Sequence, residues 1–177
     1  MNRVAKKSAE IKGTVSKTSR NKETPTKTEP IKNSISKIQE FLEKRNLNYE
    51  VIDEQTLIVP YEIDGLLFKP TISLNDKWIV VTSLIVKSTD LPEGKCDDPS
   101  YLVQLFRKLL RAIHELPEIN YDIDDQDNIY VSADMRYDIT DIDNFFSEFL
   151  AIPYGIKYFV EKIAPTMDPA IDVKGFD

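Results

Sequence analysis

Leu102-Val-Gln-Leu-Phe-Arg-Lys-Leu-Leu-Arg-Ala-Ile-His-Glu-Leu116 and, further along, Asn128-Ile-Tyr-Val-Ser-Ala-Asp134 are written in two different hydrophobic periods. In the first, Leu102, Leu105, Phe106, Leu109, Ile113 and Leu116 recur at three- and four-residue spacing, with Arg107, Lys108, Arg111 and Glu115 off the stripe. That is the pattern of a helix with one buried face. Asp98-Pro99-Ser100 supplies its start, a capping side chain before a proline at the first turn, and Pro117 closes it. In the second stretch Ile129, Val131, Ala133 and Met135 alternate strictly, as a half-buried strand requires. Ile119, Tyr121 and Ile123 form the strand before it, and Asp and Asn at 124–128 make the turn between them.

Working outward, Thr140 with Asp143 resembles a capping pair for a long helix through Phe145, Phe146, Phe149, Ile156, Phe159 and Ile163. Pro153 and Gly155 interrupt that helix, but the apolar spacing stays in phase, so a kink is expected rather than two helices. Upstream, Asn33 or Ser34 caps a helix carrying Ile35, Ile38, Phe41 and Leu42, ending near Asn46. Four strand runs follow, at 47–52, 56–63, 66–74 and 78–86, with Asp64-Gly65 the strongest hairpin signal. In 66–74 the apolar residues fall on one face. In Trp78–Val86 both faces are apolar, so that strand is central or its second face meets a partner. Pro60 and Pro70 cannot donate to a ladder, which favours edges or bulges. No repeat of solenoid length is present.

The 177 residues carry 23 Lys+Arg against 30 Asp+Glu, a net charge of −7. The sign is unevenly spread. Residues 1–31 hold eight basic and three acidic residues, eight Ser/Thr and no aromatic, which leaves 15 basic and 27 acidic residues for the remainder. The first 31 are therefore expected to be a disordered basic tail, 32–164 an α+β domain, and 165–177 a flexible C-terminal tail. Eight Phe, eight Tyr and one Trp suit a packed interior. No apolar run approaches the ~20 residues of a membrane span, and the tail lacks the apolar core of a secretory signal. A single cysteine, Cys96, permits no internal disulfide, and a cytoplasmic setting is the expectation.

Motifs that would carry chemistry are sparse. Asp122, Asp124, Asp125, Asp127, Asp134, Asp138, Asp141 and Asp143 invite a metal reading. A calcium loop needs glycine at position six and Glu at twelve, and counting from Asp122 gives Asp127 and Ala133 instead. His114, the only histidine, has no partner of the kind general acid/base work or metal binding needs. No phosphate-binding glycine loop or nucleophile elbow occurs among five glycines, and no cofactor is implied. The basic tail is the one route to nucleic acid.

The stretch 101–165 as a whole, a leucine-rich helix, a strand, an acidic turn, the Asn128 to Asp134 strand and a Phe-rich closing helix, resembles the YbjN-like family of bacterial sensory-transduction regulators, whose architecture is that of type III secretion chaperones. The resemblance covers about residues 33–164. It implies an α+β fold of order α-β-β-β-β-α-β-β-α, with helices on a bent antiparallel sheet, often as a homodimer, and a non-enzymatic role in binding a protein client or partner. No functional residue of the family carries over, because the resemblance contains no catalytic motif. From the residues themselves, Ile79, Val81 and Ile85 on the 78–86 strand and Leu102, Leu105 and Leu109 on the helix are the candidates for a partner or dimer surface. The runner-up reading is an enzyme or metal-dependent domain using the carboxylates between Asp122 and Asp143.

Overall fold

The structure, a computed structural model, describes residues 34–176, so the basic stretch 1–31 lies outside the described residues. The first helix, α1 (Ser36–Lys44), buries Ile38, Phe41 and Leu42. It ends in a motif read directly from its chain: Asn46 adopts φ 54°, its N–H donates to the Glu43 carbonyl, and the Leu47 N–H reaches back to the Leu42 carbonyl at 3.0 Å. Asparagine tolerates this left-handed turn better than most residues, which makes it a substitute for the usual glycine.

The next strands are β1 (Glu50–Val51), β2 (Thr56–Ile58), β3 (Tyr61–Ile63), β4 (Leu66–Phe68), β5 (Thr71–Leu74) and β6 (Trp78–Val86). The two long runs expected at 56–63 and 66–74 are each broken, at Pro60 and Pro70. A proline has no N–H to give the ladder, so pairing stops where the two lie. The outer parts, β3 and β4, then form a separate two-stranded hairpin. Its turn is the expected Asp64-Gly65, with φ of 51° and 81°, the two positive values a two-residue turn of this kind needs. The inner parts join an antiparallel sheet of order β1-β2-β5-β6-β8-β7.

The second helix, α2 (Pro99–Glu115), starts as its sequence dictates: the Asp98 carboxylate accepts from the backbone N–H groups of Ser100 and Tyr101. Strands β7 (Asn120–Ile123) and β8 (Ile129–Arg136) follow, and β8 pairs with the central β6 along most of its length. The last helix, α3 (Ile142–Tyr158), is capped by Asp141, whose side chain accepts from the Asn144 N–H. Thr140, expected to cap it, instead donates its hydroxyl to the Arg136 carbonyl. The helix runs through Pro153 and continues into one π turn at Phe159–Ile163.

One face of the sheet is core. Ile72, Ile79, Val81, Ile85, Ile129, Val131 and Ala133 point into it and are almost wholly buried. α3 lies across β8 and β6, and at Gly155 it approaches so closely that a Cβ there would sit 2.7 Å from Val131 Cγ2. The Tyr121 hydroxyl donates to the Gly155 carbonyl at 2.8 Å. Phenylalanines unite the layers: the rings of Phe145 and Phe149 stack at 5.5 Å, Phe41 of α1 meets Phe145 at 5.6 Å, and Tyr61 of the hairpin meets Phe149 at 5.7 Å.

The segment after α3 does not behave as the flexible tail expected at 165–177. Met167 and Ile171 are buried, the Tyr101 hydroxyl donates to the Pro169 carbonyl at 2.8 Å, and the Phe176 N–H donates to the Leu67 carbonyl at 2.7 Å. Its Asp and Pro content suggested a loop, but Met167, Ile171, Val173 and Phe176 carry enough apolar surface to hold it down.

Candidate partner-binding surface

The six side chains expected to form a surface divide sharply. Ile79, Val81 and Leu105 have no exposed surface, Ile85 keeps 1% and Leu109 3%, and Leu102 alone is half-buried. The expectation is therefore corrected for five of them, which are core. On β6 the parity decides it: Ile79, Val81 and Ile85 face the helices, and Trp78, Val80 and Leu84 face away. The second apolar face of the strand exists, but it is the opposite set. There Val80 and Leu84 are half-buried and Trp78 is exposed, in a sheet face that also carries Ile58, Thr71, Ser73, Thr82, Asp122, Tyr130, Ser132, Asp134 and Arg136.

On α2 the inner stripe is Tyr101, Leu105, Leu109 and Ala112. A second stripe runs beside it. Val103 is 48% exposed and Leu110 66%, and Phe106 and Ile113 are half-buried between and after them. The spacing 103, 106, 110, 113 is three, four, three, the seam that helices use when they pack side by side. Its signal was present in the sequence as a second set of apolar positions. It is hidden there because Phe106 and Ile113 also fit the period of the inner stripe. Gln104, Arg107, Arg111 and His114 lie exposed around it.

Where α2 ends, the chain turns into β7 and leaves a cleft of about 510 Å³ lined by Ile113, His114, Glu118, Ile119, Asp134 and Glu148 among others. Burial pushes the Glu148 carboxyl above the ordinary range, and the carboxylates of Glu118 and Asp134 push it the same way. Glu118 accepts from the Ser147 hydroxyl at 3.0 Å, and Glu115 from the Tyr158 hydroxyl at 3.4 Å. The far end of the exposed stripe thus opens onto an acidic hollow.

The carboxylates of the runner-up reading do not converge. Asp124 anchors its turn, accepting from the N–H groups of Gln126 and Asn128, the Asn128 amide and the Tyr130 hydroxyl. Asn128 as the largest influence, with the other donors, holds the Asp124 carboxyl below the usual range. Asp122 accepts from Ser132, Asp138 pairs with Arg136, and Asp141 caps α3. Asp134 alone of the eight lines the cleft. Among the described residues no group of three His, Cys, Asp or Glu is placed to hold a metal ion. Cys96 is half-buried and its thiol lies 3.8 Å from an Asp97 carboxylate oxygen. No described helix is long and apolar enough to cross a membrane.

No family model and no curated protein matches the chain. Among solved structures it is similar to YbjN from E. coli, with a TM-score of 0.53 at 16% identity over 71% of this chain and 90% of that one. It is similar also to a chain of the heterodimeric complex ExoU-SpcU from the type III secretion system of Pseudomonas aeruginosa, with a TM-score of 0.51 at 13% identity over 75% and 99%. The structure of the Yersinia pestis type III secretion chaperone SycH with a stable fragment of YscM2 gives 0.45 at 18% identity over 68% and 94%. The first two carry the conclusion about architecture: the α+β fold expected from the helix and strand order is the fold of this chain, shared with them at identities too low to carry more.

Proposed function

We propose that this protein is a non-enzymatic protein-binding module, a chaperone-like or regulatory adaptor, and that the outer stripe of α2 is where it meets its partner. One observation carries the reading: Val103 and Leu110, flanked by Phe106 and Ile113, form a continuous apolar seam on a helix whose other apolar stripe is already buried in the core. A helix needs only one such stripe to fold onto its own domain, and a second is surplus to stability. The acidic cleft at the end of the seam suits a partner that brings a basic side chain beside its apolar face. A second copy of the chain, laid α2 against α2, is the simplest occupant of the seam.

The test replaces Leu110 by Asp, and separately Val103 by Asp, and measures mass by light scattering together with capture of proteins from the native host. Both side chains are exposed, so folding and melting temperature are expected to stay within a degree or two of wild type. Wild type is expected to be dimeric or to retain a partner that both variants lose. A strictly monomeric wild type whose captured proteins are unchanged by Leu110→Asp and Val103→Asp would defeat the reading.

A further inference from the structure

The hairpin of β3 and β4 has a border that no described strand pairs with, and the segment after α3 lies along it. In a two-residue hairpin the residues flanking the turn, here Ile63 and Leu66, exchange their bonds, and the next pair, Glu62 and Leu67, turn their backbone groups outward. The Leu67 carbonyl is filled by the Phe176 N–H at 2.7 Å. The Phe176 ring meets buried Phe68 edge-on at 6.1 Å, and the Lys87 ammonium stands 5.7 Å over the same ring. Lys174 reaches Asp90 at 3.8 Å. Gly175 has φ 70°, and a Cβ there would lie 3.1 to 3.2 Å from Leu67 backbone atoms and Leu66 Cβ.

The segment has two halves with different holds. Met167 and Ile171 are buried, and the Ile171 N–H bonds the Ala164 carbonyl at 3.1 Å, so the first half belongs to the core. The second half, 172–176, contributes no fully buried side chain: Val173, Gly175 and Phe176 are half-buried, and Asp172 and Lys174 are exposed. Its ion pair joins a mostly exposed lysine to a partly exposed carboxylate, a weak contact in water. Its departure would uncover Phe68 but leave Met167 and Ile171 in place.

We propose that the groove along β4, walled by Leu67, Phe68, Lys87 and Asp90, is a binding site for an extended peptide segment of another protein, and that 172–176 is its displaceable internal occupant. The seated segment states the chemistry of the ligand. It is an apolar residue, then a basic one for Asp90, then a glycine where the Leu67 backbone leaves no room for a side chain, then an aromatic ring for Phe68 and Lys87. Recognition is by main-chain pairing to a strand border with side-chain pockets adding selectivity. This groove is a second surface, separate from the α2 seam, and it extends the protein-binding reading to a peptide of stated pattern.

The probe is a fluorescein-labelled, amide-ended peptide of residues 169–177, added to the full chain and followed by anisotropy, with hydrogen exchange at the Phe176 amide reporting whether the internal segment has left. Phe176→Ala removes the ring, and Gly175→Val forces a side chain onto the Leu67 backbone, so two variants vacate the groove by different atoms. An occupied site binds in proportion to its open fraction. Both variants are therefore expected to bind the peptide at least about tenfold more tightly than wild type, and a peptide with Ala in place of the Phe is expected to lose about tenfold on either. Equal binding by wild type and by variants with a released segment overturns the proposal, and so does a segment that stays protected in both. The α2 seam is intact in every sample, so either failure leaves the α2 reading to its own test.

Discussion

Replacing Gly155 by alanine should destabilise the protein although it puts a better helix former into a helix. In a free helix the change gains about 1 kcal/mol. Here the new methyl would lie 2.7 Å from Val131 Cγ2 and 3.3 Å from Ile119 Cγ2, roughly an ångström inside ordinary carbon contact for the first. Val131 has no exposed surface, sits on a strand paired on both sides, and is β-branched, so it has few other rotamers. Overpacking a site of this kind costs about 1–3 kcal/mol, and rigidity at Val131 places it near the upper end. The net is a loss of about 2 kcal/mol, a fall of about 4–8 °C in melting temperature for a domain of this size. Urea unfolding followed by far-ultraviolet circular dichroism measures it; Trp78 is too exposed for its fluorescence to be the main reporter. Val131→Ala alone should cost about 2–3 kcal/mol by leaving a cavity. The double variant should then be no less stable than Val131→Ala, because the new methyl enters the space vacated, a coupling of about 2 kcal/mol. Gly155→Ala at or above wild-type stability, or a cycle additive within about 0.5 kcal/mol, would refute the close approach of α3 to β8.

Two further outcomes follow from titrating groups. Burial, and next the neighbouring Tyr158 and Tyr154, hold the Tyr121 phenol far above its ordinary value of 10.0, so the folded chain keeps a proton that the unfolded chain releases. Stability should be full below pH 10 and decline as pH rises beyond it, by up to about 1.4 kcal/mol per pH unit for this one proton. Tyr121→Phe should flatten that decline in melts between about pH 9 and 12, and an unchanged slope would remove Tyr121 from the account. Asp98 is held below the usual carboxylate range first by Lys95 and then by the Tyr101 N–H. Its contribution is present above the unfolded value near 3.8 and is lost as pH falls through the lower folded value. Asp98→Ala should lower the melting temperature near neutral pH more than Asp98→Asn, which keeps a capping oxygen, and the gap to wild type should shrink in acid.

Much of this architecture could be read from the chain because the signals were local. Asp98-Pro99 started α2, Asp64-Gly65 turned a hairpin, and the alternation from Ile129 to Met135 built β8. Other features depend on what lies opposite. That Pro60 and Pro70 interrupt the two strands at nearly the same level is a matter of register: Val59 donates to the Pro70 carbonyl at 2.9 Å, and no single-strand pattern states it. Asp141 caps α3 in place of Thr140 because the threonine hydroxyl finds Arg136 first, a contact set by the loop after β8. The surface was the least legible part. Periodicity located two apolar faces on β6 and an apolar helix at α2, but burial is decided by the layer on each side. Leu105 and Leu109 therefore went inside while Val103 and Leu110 stayed out.

Three of the strand borders among the described residues are each defended differently. β1 is only two residues long, and β7 carries Asn120 and Asp122 outward. The β4 border would offer a clean main-chain template next to Phe68, the arrangement that seeds chain-to-chain sticking, and there the protein spends its own Phe176 as a stopper. Solubility at that border is therefore a property of residues far away in sequence, and it changes whenever they move.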